Sequence, residues 1–92
     1  KIGMAATDLI SAGKDAEDKA TRNVIQAYTV ENSEIAAYES LIAAANAVGD
    51  TETAALAQAI QAEEKAAAAK LFARIAPLAA KAVVVGVSEG RN

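Results

Sequence analysis

The 92-residue chain contains neither cysteine nor histidine. The first absence excludes disulfides and thiolate nucleophiles. The two together exclude Cys/His zinc sites and Ser–His or Cys–His catalysis by this chain alone. Carboxylates are left as the only ionised ligands for a metal. Tryptophan is missing too, aromatics make up 3% of the residues, and Pro77 is the single proline. Yet 53% of the chain is hydrophobic, much of that alanine. Alanine is the strongest helix former and buries little area per residue, so it favours long helices in close contact over a bulky core. The composition reads as all-α.

No apolar run reaches the roughly 18–20 residues needed to span a bilayer, and no signal peptide is visible. There is no basic block either: 9 Lys and Arg are interspersed among 12 Asp and Glu, for a net charge of −3. These absences argue against a membrane or a nucleic acid as partner, and for a single cytoplasmic domain. Lys1 stands where an initiator methionine would, as in a processed chain or an excerpt of a longer one.

What is present is helical periodicity in three segments. Residues 1–13 read as a short helix with Ile2, Leu9 and Ala12 on one side and Gly13 as its stop; a polar connector follows, in which Asp18 suits a cap. A long helix is expected over 18–48. Its stripe of Val24, Tyr28, Glu31, Ile35, Tyr38, Ile42 and Ala45 alternates steps of four and three, as in a helix packed nearly parallel or antiparallel to a neighbour. "VGDTETAAL" then breaks the pattern. Gly49 suits a left-handed residue after a helix end, Asp50 or Thr51 suits the next cap, and Glu52 suits a first turn. So short a break implies an antiparallel hairpin. The second long helix is expected over 51–85, kinked near Pro77, with Leu56, Ile60, Glu63, Ala67, Leu71, Ile75 and Leu78 as its stripe. A lone hairpin leaves Tyr28, Ile35, Tyr38 and Ile42 short of partners. A four-helix bundle is therefore expected, made by homodimerisation (or a higher homo-oligomer) or with a missing N-terminal half.

"VENSEIAAYESL" places Glu31 and Glu34 three apart within an otherwise apolar run. Counting 1.5 Å per residue from the turn, Glu34 lies roughly 23 Å down one helix and Glu64 roughly 22 Å down the other, with Glu63 beside it. Glu31 is one turn further, level with Ala67 and Ala68. A single helical glutamate is usually solvated decoration. Acids gathered at one height on a packed stripe are different: they repel unless a cation or a proton is shared. Other polar features read as ordinary. Lys65, Lys70, Arg74 and Lys81 suit a solvated face. Tyr28 and Tyr38 suit the packed stripe, with Tyr38 one turn from Glu34 and placed to donate a hydrogen bond to it.

"VENSEIAAYESLIAAANAVGDTETAALAQAIQAEEKAAAAKLF" resembles the second half of ferritin-like stress proteins of the YciF/YciE type. Their pattern there is approximately V-E-H-x-E-I-A-x-Y, a G-D turn, then L-x-E-E-K-x-x-D-x-x-L. The resemblance spans residues 2–80 and rests on Glu31, Glu34, Ile35, Ala36, Tyr38, Glu63, Glu64 and Lys65. The "ENSE" step is also similar to the E-N-x-E of rubrerythrins, where both glutamates bind iron. The resemblance implies the third and fourth helices of a ferritin-like bundle. Glu31 and Glu34 from one helix and Glu64 from the other would then be ligands for iron or manganese, with a stress-related role. Asn32 stands in place of the family's histidine, Ala68 in place of its aspartate, and Ala67 in place of the histidine of Glu-x-x-His. A site from this chain is thus acid-only and short of donors unless a dimer mate or a missing half contributes. Two functions follow: divalent metal capture, ahead of oxidation by O₂ or peroxide, or a metal-free bundle serving homo-oligomeric assembly. No catalytic residue is assigned.

Overall fold

A computed structural model describes residues 19–88. The expected short helix over 1–13 and the cap at Asp18 lie outside them. The described residues form two helices, α1 (Lys19–Ala47) and α2 (Thr51–Ser88), packed side by side as a hairpin with no strand among them. The second helix runs through Pro77 to Ser88, three residues past the expected end, although Pro77 has no N–H for the helical ladder.

The turn follows from its sequence. Gly49 takes a φ of 78°, a conformation that costs any residue with a Cβ. That geometry lets Asp50 N–H donate to the Ala45 carbonyl at 2.8 Å and Gly49 N–H to the Asn46 carbonyl at 3.1 Å. Together they satisfy carbonyls that the end of α1 leaves open. Asp50 then caps α2: it accepts from Thr53 N–H at 3.1 Å through one oxygen and from the Thr53 hydroxyl at 2.7 Å through the other. The hydroxyl bond first, and the backbone bond after it, hold the Asp50 carboxyl below its usual range.

Along α1 the stripe falls where the spacing places it. Val24, Ile42 and Ala45 are buried, and Tyr28, Glu31, Ile35 and Tyr38 between them are half-buried. The expectation that Ile42 would lack cover is therefore corrected, since α2 already covers it. Along the first half of α2 the expected Ile60 and Ala67 are half-buried, but the most buried positions differ from the expected stripe. The seam runs through Ala54, Ala57, Gln61, Glu64 and Ala68, all but the half-buried Glu64 fully buried, before merging with the expected Leu71 and Ile75. Leu56 is 65% exposed and Glu63 is exposed as well. The reason is size. Where Ile42 and Ala45 fill one side, only alanine fits opposite at close range, and the larger Leu56 is turned to the flank.

A Cβ on Gly49 would meet nothing within 4 Å, so a substitution there strains only the backbone. Gly49→Val should lower unfolding free energy by about 1–2 kcal/mol, read from the urea midpoint. An unchanged midpoint would place the end of α1 elsewhere.

Candidate metal centre

Glu31 occupies the α1 seam, Glu34 lies one turn along at its edge, and Glu64 occupies the α2 seam between Gln61 and Ala68. The fold brings these acids together: each offers one carboxylate oxygen, and the three oxygens lie within 4.8 Å of one another. Glu34 is exposed, while Glu31 and Glu64 are half-buried. Glu31 Oε1 and Glu64 Oε2 are themselves buried and, while both carboxylates are charged, accept no hydrogen bond. Glu63 stays outside the cluster, because its neighbour Glu64 takes the inward position.

Carboxylates this close do not all ionise at neutral pH. Hydrogen bonding with Glu31, then with Glu34, raises the Glu64 carboxyl to about 8, with burial and the two negative charges acting in the same direction. The cluster so holds a proton that water alone would have removed. A cation could take over the same neutralising role.

Gln61, buried and one turn from Glu64, carries a contact that the sequence reading missed. Its Nε2 donates to the Ile35 carbonyl at 3.1 Å and to Glu39 Oε1 at 3.0 Å. One amide thus links α2 to both backbone and side chain of α1 and fixes the helices' relative height beside the acids. The available signal was its spacing, since Gln61 is on the seam that includes Glu64. Asn32, at the position of the expected family histidine, donates to the Tyr28 carbonyl of its own helix at 3.0 Å. It is exposed and lines a groove with Tyr28, Lys65 and Phe72 on the other flank, so it adds no donor to the acids. Tyr38 packs half-buried on the seam and, contrary to expectation, makes no hydrogen bond to Glu34. The Tyr28 ring instead meets Phe72 at 5.3 Å between centroids, tilted by 47°. Ala67 and Ala68, beyond Glu64, offer no ligand atom.

Paired antiparallel helices with acids converging between them are also the elements from which ferritin-like bundles are built. The chain belongs to the family described as a domain of unknown function (DUF892), which matches residues 3–83 and lies in the ferritin-like superfamily. No curated protein and no solved structure matches the chain. No described helix is long and apolar enough to cross a membrane.

Linkage gives the cluster a sign that can be measured. The folded Glu64 value of about 8 lies above the ordinary 4.5, so the folded state holds the proton more tightly than the unfolded chain. Its stabilisation is fully present below about pH 4.5 and is lost as pH rises to about 8. Urea titrations in a chelator should show metal-free stability falling across that window, with a smaller fall in Glu64→Gln. Stability that climbs with pH from 5 to 8 would contradict the shared proton.

Proposed function

We propose that the protein captures a divalent metal, manganese or iron, through Glu31, Glu34 and Glu64. The observation that carries this reading is the cluster itself, three carboxylate oxygens within 4.8 Å of one another, in which buried Glu31 Oε1 and Glu64 Oε2 accept no hydrogen bond while the acids are charged. Buried polar atoms are normally satisfied, and an orphaned carboxylate oxygen is costly. A cation bound among three acids would remove both the orphaned state and the repulsion. The donor chemistry fits: oxygen ligands alone suit hard cations such as Mn²⁺, whereas zinc and copper sites favour the nitrogen and sulfur that this chain lacks. Membership of the ferritin-like superfamily supports iron as the other candidate, and the resemblance to YciF/YciE-type proteins supports a role in stress. Bound iron would bring the capacity to reduce O₂ or peroxide. The chain's own part is to hold the ion, set its charge balance and release the proton kept by Glu64.

A second reading has its own observation. The proton shared with Glu64 already relieves the acids, and large apolar side chains remain exposed, as suits a metal-free assembly module. Elemental analysis after loading with Mn²⁺ or Fe²⁺ separates the two. On the metal reading wild-type protein retains the ion through desalting, its melting temperature rises, and Glu34→Ala retains none. Glu34→Gln without metal should melt higher than the metal-free wild type, because one repelling charge is gone. On the assembly reading neither protein retains metal, and Glu34→Ala shifts stability by less than about 0.5 kcal/mol.

A further inference from the structure

The hairpin has two unlike flanks. One carries the groove lined by Asn32, Lys65 and Phe72. The other is defined by helical spacing. Val30, Leu41 and Val48 lie about three and five turns apart and so share a face of α1, with Glu34 on it two turns before Leu41. On α2, Glu52, Leu56, Arg74 and Lys81 share a face in the same way, half a turn round from Lys65. This flank exposes Val30 (56%), Leu41 (43%) and Leu56 (65%), and the acid cluster opens onto it through exposed Glu34.

We propose that a second copy of the chain packs on this flank, antiparallel, about a two-fold axis across the helices at the level of Glu34. The acids of both copies then close one shared site, a step that rests on the metal reading above. Apolar exposure supports an occupant: Val30, Leu41, Val48 and Leu56 are all exposed along this one flank.

Donor count and position support it too. Each of the three acids turns one oxygen to the shared point, which leaves about half of the six or so positions around a hard cation to water or to the acids of a second copy. Glu31 and Glu34 straddle the middle of α1 (Lys19–Ala47). A two-fold axis there overlays α1 on its partner from end to end and sets both acid clusters at one level. Charge chooses between the possible axes. Across the helices, the operation brings Glu52 between the levels of the partner's Arg74 and the partner's Lys81. Along the helices, it would set Lys19 beside the partner's Lys81, like charge against like.

The test is sedimentation of the full chain in Mn²⁺ and in EDTA. The expected result is a mass of two chains, with a dissociation constant at least about tenfold lower in Mn²⁺. Leu41→Glu, or independently Leu56→Glu, changes an exposed position and leaves the buried seam intact. Each should sediment as a helical monomer and lose about tenfold or more in Mn²⁺ affinity. Phe72→Glu, on the groove flank, should do neither. Because the chain has no cysteine, a nitroxide on Val48→Cys labels one position only. The antiparallel pair puts the two labels roughly 45 Å apart, whereas an axis along the helices puts both at the same end. A monomer that takes up Mn²⁺ overturns the second copy and leaves the metal reading standing. A Leu41-dependent dimer that takes up none overturns the metal reading and the shared site. Labels at the same end, or a dimer lost in Phe72→Glu but kept in Leu41→Glu, overturn the proposed packing.

Discussion

Ala54, Ala57 and Ala68 are buried on α2, as Val24, Ile42 and Ala45 are on α1, and seam residues as small as alanine let two helices approach closely. The position of every other group depends on that approach. Glutamate side chains reach across a seam only when the backbones are near, so the 4.8 Å acid cluster is a consequence of alanine packing. The same closeness brings Gln61 to a backbone carbonyl of the facing helix at 3.1 Å. Little apolar area is buried by alanine, however. The seam that positions the site is therefore modest as a source of stability, and specific contacts must fix its register.

Those contacts are polar. At the closed end the paired bonds of Gly49 and Asp50 define where α1 stops and α2 starts. In the middle, Gln61 ties the two helices by hydrogen bonds to Ile35 and Glu39. A one-residue slip of alanine against alanine would cost little by itself, but it would break both bonds of Gln61 and leave its amide buried. The penalty for an unpaired buried amide is larger than the gain from any one bond. Gln61 thus acts on register more than on total stability, and Glu64, one turn away, benefits directly.

How much of this was legible depended on side-chain size. Val24, Tyr28, Ile35 and Ile42 are large, so the α1 stripe could be read from spacing, and Glu31 with it. Gly49 and Asp50 were legible because each answers a backbone need that few residues meet. The first half of α2 was legible only in part: Ile60 is half-buried as expected, but Leu56 outweighs the alanines that form the most buried row. Hydrophobicity points towards the bulkiest residue, whereas close contact selects the smallest. That error placed Glu63 on the stripe; counting height from the turn nevertheless picked out Glu64, because axial level does not depend on which face is chosen. Gln61 was hidden for a related reason, since an apolar pattern contains no place for a polar seam residue.

The raised carboxyl of Glu64 connects stability to ligand choice. Metal ligands must be deprotonated, so an ion entering this cluster competes with the proton that Glu31 and Glu34 help to retain. On the metal reading, apparent affinity weakens as pH falls below about 8, and an ion that binds displaces the Glu64 proton. The competition also limits what can bind. A weakly held monovalent cation replaces one positive charge with another and gains nothing over the proton. A divalent ion neutralises more of the cluster and can engage one oxygen from each of the three acids at once, whereas a single proton joins only two oxygens. The asymmetry between those two occupants, in charge and in number of oxygens satisfied, is the physical basis on which an acid-only site can select metal.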